Sequence, residues 1–251
     1  MSLATLLVLA DGRLPAGGHA HSGGLEAAVA AGRVRDLGGL DGFLRERLAT
    51  GGLVAAAFAA AACASAHACV VGIGGSAIGG GTIEGGGAIE GGGIGGCIKG
   101  GIDGRIGELD DGMDARTPSP ALRRASRAQG RALLRAARAM WPVPAIGREP
   151  HHPVALGAVA AAAGLDPLSA ATAAAHGTVT GPASAAVRLL GLDPYAAHAL
   201  IAALAPECDR IAADAAGRVA DPVDALPAAG APLLDIGAEH HASWEVRLFA
   251  S

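Results

Sequence analysis

The stretch Ala121-Leu-Arg-Arg-Ala-Ser-Arg-Ala-Gln-Gly-Arg-Ala-Leu-Leu-Arg-Ala-Ala-Arg-Ala-Met140 decides the fold class. Leu122, Ala125, Gln129, Leu133, Ala136 and Met140 recur at intervals of three and four, the spacing of one face of an α-helix, and this predicts a core-facing stripe. Arg123, Arg127, Arg131 and Arg135 recur every four residues on another face, joined by Arg124 and Arg138, with no acid between Ala121 and Trp141. That one-sign face has two readings: a solvated surface, or a surface that meets an acidic protein partner. Nucleic acid is disfavoured because no stacking aromatics accompany the arginines. Trp141-Pro142 is expected to end the helix.

Helical signals extend in both directions. Ser2 to Ala10 reads as an apolar helix, and Asp36 or Asp41 can cap a helix with Phe43, Leu44 and Leu48 on one face, ended by Gly51-Gly52. An Ala-rich helix follows from Leu53. His152-Pro153 opens a helix to Gly164. Asp166-Pro167 and Asp193-Pro194 each pair an N-cap with proline at the first helical position. They introduce a helical region from Leu168 to Leu190, expected to break or bend near Gly177 to Pro182, and a helix over residues 195–216 with Leu200, Leu204, Cys208 and Ile211 inward. No alternating strand pattern appears outside one Gly-rich segment. The predicted class is all-α: a single helical domain of roughly eight to ten helices.

That segment, residues 72–104, holds 17 glycines and seven isoleucines in 33 residues. Fixing so much glycine is costly in backbone entropy, so a flexible insertion is expected. Lys99 is followed by Gly rather than Ser or Thr, which argues against a phosphate loop. Four parts follow: a helical part with an irregular loop (1–71), the insertion (72–112), the main helical part (113–221), and a Pro-hinged tail (222–251).

The whole chain has 251 residues, a formal net charge of −4 and 2% aromatic residues, so its core must be built from Ala, Leu and Val. Four cysteines without CxxC spacing suggest reduced thiols. The apolar N-terminal run ends at Asp11 and lacks a basic start, so no signal peptide is expected. Leu53 to Val71 is long enough to span a membrane, but its alanines favour a buried core helix. A cytoplasmic protein without membrane contact is the expectation.

Chemistry concentrates in Asp11-Gly-Arg-Leu-Pro-Ala-Gly-Gly-His-Ala-His-Ser-Gly-Gly-Leu-Glu26. Pro15, Gly17 and Gly18 prevent a regular element there, Ser22 is placed to cap the helix from Leu25 to Ala31, and Glu26 lies in its first turn. Gly32 is the expected stop. His19 and His21, with Asp11, could serve a small metal-dependent enzyme, the alternative reading. His151-His152 and His240-His241 are adjacent pairs that point about 100° apart on a helix, so neither is a good bidentate ligand. No nucleophile motif is present, and neither catalysis nor a cofactor is expected. Leu248 and Phe249 on the tail read as an anchor that orders on binding a partner.

Three stretches resemble the UreF family of urease accessory proteins: Leu14-Pro15, Gly17, His21-Ser22, Gly24-Leu25-Glu26 and Gly32; Arg124, Ser126, Gln129-Gly130 and Leu133-Leu134; and Pro232 to Asp235 through His241 to Leu248-Phe249. The resemblance implies a non-catalytic, dimeric, all-α adaptor in nickel-dependent urease maturation. Such an adaptor binds the accessory protein UreD (also called UreH), through it apo-urease, and the GTPase UreG that carries nickel. It implies partner-binding roles for Leu14, Pro15, Ser22, Glu26, Ser126, Gly130, His241, Leu248 and Phe249. The arginine face adds Arg127 and Arg131.

Overall fold

Alanine determines how closely these helices approach. The computed structural model describes residues 2–74 and 98–250, and the side chains of 2–67 and 104–250. Among these residues there is no strand, and ten α-helices follow one another: α1 (Leu3–Ala10), α2 (Leu25–Ala30), α3 (Leu37–Arg47), α4 (Leu53–Gly74), α5 (Ile98–Ala115), α6 (Pro120–Ala137), α7 (His152–Ala162), α8 (Pro167–Leu190), α9 (Pro194–Gly217) and α10 (Pro232–Ala242). The all-α single domain is as expected.

At the centre is α4, surrounded by α7, α8 and α9. Residues 56–63 of α4 are buried all round, and Phe58 is its one aromatic. Gly157 lets α7 lie directly on it: a Cβ there would stand 2.3 Å from the Ala59 carbonyl oxygen. The helical run Leu37–His67 is long and apolar enough to cross a membrane, yet 61% of its apolar window is buried inside the fold, as in a core helix.

Several caps form as the sequence predicts. Asp36 accepts from the Gly39 N–H at 2.8 Å, Asp166 from Ser169, and Asp193 from Tyr195 and Ala196. Gly32 takes φ +68° just beyond α2. Elsewhere the structure corrects the reading. Gly51-Gly52 does not end a helix, because a π-helical turn, Leu48–Gly52, carries α3 into α4. Pro182 lies inside α8, which runs unbroken from 167 to 190. Gly24, not Ser22, is the N-cap of α2, although Ser22 Oγ accepts from the Glu26 N–H at 3.2 Å.

The stripe on α6 is rotated from its predicted position. Ala121, Gly130, Leu133, Leu134 and Ala137 are its buried residues, whereas Leu122, Ala125 and Gln129 line a cavity and Met140, beyond the helix end, is 42% exposed. The core face is set by close approach rather than side-chain size: a Cβ on Gly130 would fall 2.0 Å from the Pro150 carbonyl oxygen. Residues 98–115, mostly assigned to the Gly-rich insertion, form α5, and Ile106, Leu109 and Met113 join the core. The remaining flexible-segment expectation falls at 75–97, outside the described residues.

Candidate functional site

Glu26 gathers the end of the chain onto its beginning. It is 7% exposed, in the first turn of α2, and carries no basic neighbour on its own helix. One of its oxygens receives His241 Nε2 at 2.8 Å and the Phe249 backbone N–H at 3.0 Å; the other receives the Leu248 N–H at 2.9 Å. A buried carboxylate needs such donors, because without them desolvation would disfavour its charge. Here they come from residues more than 200 positions away in sequence.

Phe249 is consequently not an exposed anchor. It is 5% exposed, with the Arg188 guanidinium 4.5 Å from its ring centroid, while its neighbour Leu248 is 72% exposed. Arg188 also donates to the His19 carbonyl, and the Ala250 N–H donates to the Ala20 carbonyl at 2.7 Å. The tail thus lies along the 11–24 loop. Backbone donors on two successive residues converge on one carboxylate, so the pair Leu248-Phe249 is split into one outward and one inward side chain.

Next to this latch, α10 also holds α6. Glu239 accepts from Ser119 Oγ and from the Ala121 N–H at 2.8 Å, and Asp235 accepts from the Ser119 N–H. The hydrogen bond from Ser119 and the α6 backbone hold the Glu239 carboxyl below its ordinary range. Leu233 and Ile236 on α10, with Val246 and Leu248 beyond it, are left exposed. In this way α10 brings the first loop, the middle helix and the tail, the three stretches singled out in the sequence, into one neighbourhood.

The middle-helix residues do different work. Arg127 donates to Asp110 at 2.8 Å and Asp114 at 2.7 Å, both on α5, and to the Glu149 carbonyl. Arg131 pairs with Glu149 at 2.9 Å. His151 is fully buried; its Nε2 faces Asp114 at 2.9 Å and its Nδ1 faces Ser126 Oγ at 3.0 Å, while its backbone N–H donates to Asp110 at 2.7 Å. Burial pushes the imidazole below its ordinary pKa despite Asp114. For Asp114 itself, desolvation raises the carboxyl, but the bonds from His151 and Arg127 outweigh it and leave it lowered. The partners therefore assign a neutral ring, with Nε2–H donating to Asp114 and Nδ1 accepting from Ser126. Ser126, His151 and Asp114 are thus linked like a nucleophile, base and orienting acid. However, Ser126 Oγ also accepts the His152 N–H at 3.1 Å, and the fully buried imidazole cannot reach a leaving group. The cluster clamps α5, α6 and α7.

The expected partner-binding residues therefore fall into separate places. Glu26, His241, Leu248 and Phe249 meet in the latch, with buried Ser22 bonded to the Glu26 backbone. Ser126, Gly130 and Arg127 lie in the clamp, with Arg131 at its edge. Pro15 is exposed and Leu14 half-buried on the loop between them. Asp11 is engaged by Arg13, and among the described residues no three His, Cys, Asp or Glu side chains group as metal ligands. Glu239, Asp110, Asp114 and Arg188 were missed; the i, i+4 pair of acids at 110 and 114 is a signal that could have matched the arginine face.

The family model described as UreF matches residues 34–205. The chain is similar to the urease accessory protein UreF of Mycobacterium sp. (strain JLS), 46% identical over 253 residues, and to that of Mycolicibacterium vanbaalenii, 43% identical over 254. A third, from Mycobacterium marinum, is 43% identical over 258 residues; in each case the match covers 100% of this chain and 99% of the relative. With similarity over its full length and a family model matching most of it, the chain belongs to the UreF family of urease accessory proteins.

Proposed function

We propose that this chain is a non-catalytic adaptor in urease maturation, docking a UreD/UreH-type scaffold through α10 and the tail and recruiting a UreG-type GTPase, so that nickel is delivered to apo-urease. It works in the cytoplasm as a homodimer, and the nickel is cargo rather than a resident cofactor. The observation that supports this most is the latch. A carboxylate and two backbone N–H groups shape the tail so that Leu248 points outward, and with Val246 on the tail and Leu233 and Ile236 on α10 it leaves exposed apolar side chains suited to a protein partner. Ser22, Glu26, His241 and Phe249 shape that surface from below. Leu14 and Pro15 lie on the 11–24 loop, which the tail meets at Ala20. Ser126, Gly130 and Arg127 act by holding α5, α6 and α7 together, with Arg131 at the edge of that clamp.

The test is co-purification of the chain with its UreD and UreG partners and apo-urease, followed by nickel-dependent urease activity with and without the chain. Dependence of activity on a chain that has no turnover alone is the expected result. Leu248→Ala separates docking from folding, because this side chain is mostly exposed: it should weaken capture of the scaffold while leaving the chain's melting temperature unchanged. Undiminished capture would remove the tail from the interface.

A further inference from the structure

A cavity of about 690 Å³ opens between the 11–23 loop, α3, α6 and α8, and the adaptor reading does not use it. Its wall carries Arg47, His21, His152 and His176, with Ser126 and Thr178 beside them. Two acids reach the same wall, Asp11 and Asp235, and both are engaged elsewhere, by Arg13 and by the Ser119 N–H. The wall is therefore short of negative charge where its basic groups lie.

Arg47 is the centre of this imbalance. It forms no ion pair among the described residues, and its Nε is buried with no acceptor. Burial lowers its pKa to about 10, with no neighbouring carboxylate to offset the cost. One face of the guanidinium is covered by the backbone at Gly23. A Cβ on Gly23 would lie 3.0 Å from Cζ, 3.0 Å from Nη2 and 3.1 Å from Nε, and such nearly equal distances put Gly23 over the guanidinium plane rather than on its hydrogen-bonding edges. Gly23 has φ +62°, so a side chain is disfavoured there for two reasons. His21, two residues earlier, is close enough to His152 to repel its protonated form, and together with burial this keeps His152 neutral with a pKa of about 4. Ser126 Oγ meets the His152 backbone on the same wall.

A fork of guanidinium donors on the same wall as a neutral imidazole recognises a small oxyanion, and its charge disfavours a cation. We infer that this cavity binds a small oxyanion of carboxylate or phosphate type, held by the Arg47 guanidinium with His152 alongside.

The test is a thermal-melt and calorimetric titration of the intact chain with inorganic phosphate and with acetate, at ionic strength fixed with chloride. A saturable rise in melting temperature with either probe, absent with chloride, is the expected result. Response to phosphate alone assigns a tetrahedral anion, and response to acetate alone a carboxylate. Arg47→Met and the charge-retaining Arg47→Lys should each weaken binding about ten-fold or more, the loss of a bidentate charged contact. Arg45→Met, on the same helix but paired with Asp41 at the surface, should bind like the parent. Flat titrations of the parent chain would overturn the inference, whether or not the variants fold. Equal affinity in Arg47→Lys, or an equal loss in Arg45→Met, would do the same.

Discussion

The clamp and the latch both join distant parts of the chain through carboxylates, but they distribute the work differently. In the clamp, two acids, an arginine, a histidine and a serine share the contacts, and the backbone of α6 presses on Pro150 with no intervening side chain. In the latch one carboxylate receives three donors, from His241, Leu248 and Phe249, and the Ala250 N–H on the Ala20 carbonyl is the further backbone contact. Redundant contacts make a junction that fails only when its backbone packing fails. A junction that rests mainly on one acceptor can be loosened at that group while the domain stays folded. The contrast suits a rigid helical body carrying a tail that can be rearranged.

Four measurements would sharpen or break this contrast. The largest effect is expected at Gly130. A methyl group there meets a backbone oxygen that cannot move alone, so Gly130→Ala should cost about 3 kcal/mol, seen as a lower urea midpoint with unchanged slope. A loss below about 1 kcal/mol would show that the α6–α7 junction is looser than drawn.

Next comes Glu26→Ala, which strips His241, Leu248 and Phe249 of their shared acceptor. A cost of about 2–3 kcal/mol is expected for the buried donors left behind. Limited proteolysis should then cut within 243–250 while leaving α4 to α9 intact. Global unfolding would contradict a separable latch.

His152 should contribute to acid sensitivity, beside His21, His151 and His176, which burial also pushes down. Its folded pKa is depressed from 6.5 to about 4, so the unfolded chain binds the proton first as pH falls. Its contribution is full above about pH 6.5 and is lost progressively as pH drops toward about 4. His152 is only partly buried by surface area, which reduces the effect to about 1–2 kcal/mol. His152→Asn should reduce the slope of stability over that window; an unchanged slope would show that His152 does not titrate there.

The smallest of the four is expected from Arg131→Met, a half-exposed pair with Glu149, at about 0.5 kcal/mol and sensitive to salt. Its control is Arg127→Met, which removes a bond from each of Asp110 and Asp114, leaves them those from His151, and should cost more; a comparable small loss there would mean that the clamp is not a network.

Much of the helical order was legible because it rests on local chemistry. Asp36, Asp166 and Asp193 cap helices whose starts are written in adjacent residues, and Pro167 and Pro194 take the first helical positions. What could not be read depends on distant partners. The arginine face seemed unopposed because its acids lie off its own helix: Asp110 and Asp114 on α5, at and just beyond the end of the stretch assigned to the insertion, and Glu149 in the segment before α7. Phe249 looked free because its cover, Arg188 and the loop at Ala20, is remote in sequence. Likewise, Glu26 was readable as a first-turn acid in α2, but nothing local announces that it accepts the backbone of residues 248 and 249.

That last contact has a consequence for the order of events in making the protein. Glu26 leaves the ribosome early, whereas its acceptor role waits for a segment 222 residues later, and closing a loop of that length from an open chain is slow and entropically unfavourable. Docking of α10 changes the problem. Once Glu239 holds the start of α6, only nine residues separate that anchor from Leu248, so the remaining closure is a short local search. The latch therefore forms late, after residues 248 and 249 have been made, but by a search over only the short stretch of chain beyond α10.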